Sequence, residues 1–343
     1  VVKERSRKQK KEKGIEMKKH YGAIDGLRMI ACIGIVMMHV AANNQYAITG
    51  FAYDTVISSF TNFVFLFMTV SAFGMCCGYY EKIRDNTVSF SDFYGKRFKK
   101  ILPFFGVLVL ADVIMSPSAD AVYEAFADLT LLFGFLPNAG NISVIGVGWF
   151  LGLIFVFYLC FPFFCVLLEN KRRAWIAFGI SLVYHFVCAN YFDVGRSNIL
   201  YSACFFLAGG LIYLYRETLE KMSPWIAAVL AAAAIVGYYG TGGKTIGCLA
   251  VSAVFLIYAV TRRGGVLDNR VARFFSGISM EIYLSHMLIF RMIERIGLNT
   301  MVGNGWLQYV VTVVLVLGGT VLFSVIMQKV LGLIMSRISI ITS

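Results

Sequence analysis

Runs of about twenty apolar residues recur along the whole chain, and a helix of that length is what crosses the ~30 Å hydrocarbon core of a bilayer. Ten such windows lie near residues 22–42, 56–80, 101–115, 147–168, 174–192, 199–215, 224–239, 245–261, 274–292 and 305–334. The third is short and carries Asp112; the last is long enough to tilt or to extend past the membrane. The expected fold is therefore all-α, a polytopic membrane helix bundle of about ten transmembrane helices. The composition excludes the alternatives. With 59% hydrophobic and only 15% charged residues in 343, the chain is too apolar for an ordinary soluble domain or a disordered one, and too long for a disulfide-stapled mini-domain. The eight cysteines all fall in apolar stretches without a C-x-x-C spacing, so they read as packing residues. The N-terminal stretch is too long and too charged for a cleavable signal peptide.

A net charge of +12 is unusual in so apolar a chain and raises the question of nucleic acid. The placement of the charges answers it. If both termini are cytoplasmic, the inner segments carry 26 of the 31 Lys and Arg residues, the outer segments carry Arg196, Lys244, Arg291 and Arg295, and Arg28 lies within the first span. Positive charge collects on the cytoplasmic side of membrane proteins, so the basic balance sets topology and no nucleic-acid partner is expected. The chain divides into a basic cytoplasmic tail at 1–21, a transmembrane domain at 22–336 and a short cytoplasmic tail at 337–343. The outer connection 116–146 stands apart. Asp120, Glu124 and Asp128 repeat at i, i+4 and i+8, with Val122, Phe126, Leu129 and Phe133 on the other side, as in a solvated loop helix, an interfacial or re-entrant helix, or an additional span.

Ionisable groups inside spans cost a few kcal/mol each and so point to function. Residues 24–40 read IDGLRMIACIGIVMMHV. Asp25 and Arg28, three apart, can pair on one helix face. His39 follows Arg28 by eleven residues, within about 20° of a whole number of turns and ~16 Å further along the axis. A cation near the inner leaflet suits an anionic cytosolic ligand, and an imidazole in the outer half suits proton abstraction from a hydroxyl. The plainer reading is a helix-entry ion pair and a packed histidine. Span nine, SGISMEIYLSHMLIF, adds Glu281, Ser285 and His286, either a polar cavity with His39 or a helix-packing seam. His185 reads as packing and His20 as solvent-exposed. Lys96, Arg97, Lys99 and Lys100, in YGKRFKKILP, can grip phosphates or anchor topology against anionic membrane lipids. No P-loop, dinucleotide fingerprint, H-E-x-x-H or G-x-S-x-G occurs, and no metal site is expected.

Several landmarks together carry a resemblance. Arg28, ten residues, then His39 resembles the opening span of the acyltransferase 3 family of integral membrane enzymes. Phe67 through Ser71, Ala72 and Phe73 resembles its F-x-x-x-S-G-F, with Ala72 in place of Gly. Arg97 to Lys100 before Pro103 resembles its R-x-x-R stretch. Trp149 and Leu151 with Tyr158 and Pro162 resemble its W-x-L segment, and Ser279, Tyr283, Leu284 and His286 its S-x-x-x-Y-L-x-H. Many members carry W-S-L-x-x-E where this chain has Ile154, which leaves their donor and acceptor specificity untransferable.

The resemblance implies an O-acyltransferase of a bacterial plasma membrane. It would move an acyl group, usually acetyl from cytosolic acetyl-CoA, to a hydroxyl of a cell-surface polysaccharide or lipid-linked sugar of the cell envelope. In that reading His39 is the base or acyl relay and Arg28 holds the thioester arm, with Asp25 orienting it. Arg97, Lys99, Lys100 and Lys96 meet the CoA phosphates, while Ser71, Glu281, Tyr283, His286 and Trp149 line the substrate path. The alternative is a multi-pass transporter or glycan exporter with an Arg28–His39–Glu281–His286 pathway.

Overall fold

In a computed structural model, which describes residues 20–136, 140, 142, 145–262 and 264–342, the chain is helical throughout, with no strand among the described residues. The basic tail expected at 1–21 lies almost wholly outside them. Each of the ten apolar windows falls on helix. The first is α1 (Ala23–Ala42), and the second lies in a continuous helical run, Phe51–Arg84, whose regular core is α2 (Phe63–Met75). Next come α3 (Phe90–Met115), α4 (Ala119–Thr130), α5 (Trp149–Leu159) and α6 (Phe161–Leu168). These are followed by α7 (Lys171–Asn190), α8 (Ile199–Leu214), α9 (Pro224–Gly240) and α10 (Thr245–Thr261), then by α11 (Arg270–Gly277), α12 (Ser279–Arg295) and α13 (Trp306–Thr342). The last helix continues to Thr342, into the segment expected from the sequence as a short C-terminal tail.

Among the described residues three helices are long and apolar enough to cross a membrane on their own, at Ala23–Ala42, Phe51–Arg84 and Trp306–Arg337. A fourth crossing is available if the pair Gly146–Leu159 and Phe161–Leu168, bent by 55°, acts as one span. Pro162 explains the bend: it opens α6 at a position where its missing N–H matters least, while its ring cannot continue α5. Local chemistry sets the other helix starts. The side chains of Ser89, Ser118, Asn170, Asn198 and Asn269 each accept a backbone N–H at the head of α3, α4, α7, α8 and α11.

The first helix is the hub. It packs against α2, α10, α11, α12 and α13, and more than half of its residues are buried. Because lipid tails are as apolar as leucine, such contacts draw on close packing more than on water exclusion. The interior is accordingly dense with rings, such as Phe65 stacked on Phe205 at 4.0 Å and Phe157 on Phe206 at 4.6 Å. Gly209 lets α8 meet α2: a Cβ there would lie 2.2 Å from the Thr69 carbonyl oxygen and 2.8 Å from the Ala72 methyl. The Ala72 that replaces glycine in the second landmark is thus accommodated by a glycine opposite.

The short helix α4 departs from a solvated loop helix. Of its three carboxylates only Asp128 is fully turned inward, at 0% exposed, with Glu124 half-buried and Asp120 exposed, while Val122, Tyr123 and Phe126 are 57%, 76% and 73% exposed. All eight cysteines are free thiols, seven of them on helices and most of them buried.

Candidate active site

Two cavities approach each other from opposite ends of the bundle. The one beside the N-terminal half of α1, named inner for the side on which the charge pattern expects it, is about 290 Å³ and is lined by Arg28 of α1, Ser71 and Gly74 of α2, Arg97 and Lys100 of α3, and Ser276 and Ser279 near the α11–α12 junction, among others. Three cations and no carboxylate face it. Arg97 is held by a hydrogen bond from Nη2 to Tyr79 Oη at 2.8 Å, and its guanidinium lies 4.9 Å from the Tyr79 ring centroid. Its Nε is buried without a partner among the described residues. Arg28 packs so close to Gly74 that a Cβ there would lie 3.1 Å from its Nη2. Such a site has the donor set and the uncompensated charge for phosphate or another anion.

The Asp25–Arg28 pair permitted by spacing does not form. Asp25 instead accepts from Ser276 Oγ at 2.6 Å and lies 3.1 Å from His20 Nε2. It therefore ties the entry of α1 to α11 and leaves the Arg28 charge free for the cavity. Lys96 and Lys99 are exposed and do not line the cavity, although they share the helix with Arg97 and Lys100. Glu281 is buried, accepts from Gln328 Nε2 at 2.7 Å, and lies within electrostatic reach of Lys100.

The outer cavity, about 890 Å³, is lined by His39 and Asn43 at the end of α1, Asp112 of α3, Val147, Leu284, Arg291, Glu294 and Arg295, among others. Here both signs of charge and several hydrogen-bonding groups surround an imidazole. Between the two cavities stands Tyr283. Its residue faces the inner cavity, and its buried hydroxyl donates to the Val147 carbonyl at 2.7 Å. Val147 and the next residue, Leu284, line the outer cavity. One turn beyond Tyr283, His286 brings its ring to 5.0 Å from that of His39, centroid to centroid. The helix geometry of α1 thus places Arg28 on one cavity and His39 on the other, as the eleven-residue spacing anticipates.

Other residues from the sequence reading sit nearby in different roles. Ser71 lines the inner cavity. Trp149 lines neither; the Arg196 guanidinium lies 5.0 Å from its ring and donates to Thr61 Oγ1 at 2.6 Å. His185 packs on the Tyr201 ring at 4.3 Å with Nδ1 on the Tyr201 carbonyl at 2.9 Å, a packed histidine. The sequence reading missed the Val147 carbonyl, Gln328 and Arg196. The first two carry no sequence signal; Arg196 is marked as one of four cations on the segments expected to be outer, and it acts electrostatically on both His39 and Tyr283.

A family model described as an acyltransferase domain matches residues 21–327, nearly the whole chain. A protein of Haemophilus influenzae, described as an uncharacterized protein, is 27% identical over 187 residues, which cover 46% of this chain and 76% of that relative. No solved structure matches. The match spans both cavities and the partition between them, and this chain belongs to the acyltransferase 3 family of membrane proteins, for which transfer of an acyl group is the implied activity.

Proposed function

We propose that this protein is a multi-pass O-acyltransferase with both termini cytoplasmic and about ten spans. It takes an acyl group, acetyl in the first instance, from cytosolic acyl-CoA and esterifies a hydroxyl of an extracytoplasmic glycan or lipid-linked sugar. The observation that carries this reading is the pair of cavities with opposite chemistry. One is cationic and free of carboxylates, the other holds an imidazole, and a hydrogen bond joins Tyr283 on the first to Val147 on the second.

The inner cavity, at about 290 Å³, is at the low end for even a drug-sized ligand (~300–1,000 Å³). It suits the thioester arm of the donor and not the nucleotide. Arg97 and Lys100 at its wall then hold the phosphates nearer the mouth, with Lys96 and Lys99 drawing the anion in by longer-range attraction. Arg28 binds the arm at its inner end. His39 accepts the proton of the acceptor hydroxyl as the oxygen attacks the thioester carbonyl.

Purified protein in vesicles, given acyl-labelled acyl-CoA and an extract of lipid-linked sugars, is expected to form a base-labile ester. Flux of sugar or acyl donor without ester formation refutes the enzyme reading and leaves the transporter. Loss of ester formation in a folded, inserted His39→Ala variant is the result expected for the imidazole; full activity removes His39 from the mechanism.

A further inference from the structure

The acyl-transfer reading uses one imidazole, and the structure sets a second against it. His286 is 1% exposed. Its Nδ1 lies 2.7 Å from the Tyr283 carbonyl oxygen and 3.2 Å from that of Ile282. A carbonyl oxygen can only accept, so Nδ1 carries the proton, and in a neutral imidazole the lone pair is then on Nε2. That Nε2 is buried and has no hydrogen-bond partner among the described residues. An idle buried acceptor costs about 1–3 kcal/mol, and a phenyl ring would pack the same space without that cost. The ring that bears it rests against His39, at 5.0 Å between centroids and 51° between planes.

We propose that His286 is the proton partner of His39, receiving on Nε2 the second imidazole proton when His39 takes that of the acceptor hydroxyl. This rests on the acyl-transfer reading above. As the acceptor oxygen bonds to the thioester carbon its O–H bond breaks, and the proton passes to one nitrogen of His39. The proton on the other His39 nitrogen moves to His286 Nε2, which leaves His39 neutral and His286 an imidazolium steadied by the Tyr283 carbonyl. On collapse the C–S bond breaks with its electron pair on sulfur, and the proton returns through His39 to give the free thiol and the ester. The two rings touch without a hydrogen bond between them, so the transfer requires a rotation of His39, and its place on the wall of the outer cavity leaves room for one.

The test is His286→Asn, whose side-chain amide keeps a donor to the Tyr283 carbonyl and removes Nε2. Expected are a fall in kcat of about 10²-fold or more, an unchanged KM for acyl-CoA, and a proton inventory in H2O/D2O mixtures that turns from curved to linear. Wild-type kcat and curvature in His286→Asn would make the residue structural and overturn the proposal. A second arm needs no turnover. Imidazole nitrogen shifts of histidine-labelled protein are expected to show a buried Nδ1-protonated ring that disappears in His286→Asn, with His185, similarly bonded to Tyr201, as internal control. A proton found on Nε2 overturns the proposal. Absence of ester formation by the wild type refutes the acyl-transfer reading and this step with it, whereas ester formation untouched by His286→Asn refutes this step alone.

Discussion

The Tyr283 hydroxyl ties a residue of one cavity to a residue of the other, and on the account proposed above, removing that one atom is the mildest way to weaken what separates them. Tyr283→Phe keeps the ring and its edge contact with Phe150, 5.6 Å between centroids. It deletes the 2.7 Å hydrogen bond to the Val147 carbonyl. The net value of such a bond is about 0.5–1.5 kcal/mol, and leaving a buried carbonyl bare costs about 1–3 kcal/mol. A change of one or two kcal/mol moves a two-state population by a factor of about 5–30. Water from the outer cavity then reaches the inner one that much more often. Release of free thiol from acyl-CoA in the absence of acceptor should rise by about 5–30-fold, together with a drop in Tm, since the same bond also stabilises the fold. Hydrolysis and transfer both at wild-type rates would mean that this hydrogen bond does not separate the two cavities, and the reasoning fails.

Arg97→Met removes a charged donor from the inner cavity. It should raise the KM for acyl-CoA by about tenfold or more, given about 1.5–3 kcal/mol for a hydrogen bond to a charged group; Lys96→Met, on an exposed side chain, should do much less, and equal effects would place the phosphates elsewhere. Gly74→Ala sets a methyl 3.1 Å from Arg28 Nη2 and should lower kcat/KM by displacing the guanidinium while the protein stays folded, so unaltered kinetics would free Arg28 from donor binding. Gly209→Ala, with its Cβ 2.2 Å from the Thr69 carbonyl oxygen, should instead lower Tm, by the ~1–3 kcal/mol typical of overpacking. Burial, with repulsion from Glu124 and Asp112, raises the Asp128 carboxyl to about 7, against about 3.9 in an unfolded chain. Between those values the folded state binds more protons, so stability falls as pH rises from about 4 to about 7. Asp128→Asn should flatten that slope in a thermal-unfolding series, and an unchanged slope would show that Asp128 does not cause it.

What was legible in the sequence follows from where each signal lives. The helices were legible because apolar run length is a local property, and all ten windows lie on helix. That Arg28 and His39 share one side of α1 was legible because helix periodicity alone fixes it; the two cavities they line depend on the packing of the other helices. Pairing was not. Asp25 has the right spacing for Arg28 but finds Ser276 and His20 instead, since a partner from another helix depends on tertiary packing. The inward turn of Asp128 was hidden for a different reason: the i, i+4, i+8 pattern says which residues share a face, and nothing in it says whether that face meets water or protein. The Val147 carbonyl, a backbone atom in the turn Gly146–Gly148, has no side-chain signature at all. Trp149 was placed on the substrate path by its motif, but its ring is occupied by Arg196.

The central claim is that donor and acceptor meet from opposite sides of the membrane at the Tyr283 partition. It is tested most directly in vesicles holding the protein in one orientation, with acyl-CoA confined to the side of the N-terminus and the acceptor sugar to the other. The account predicts ester formation in that arrangement and none when the donor alone is moved across. Ester formation only with donor and acceptor on the same side would contradict it.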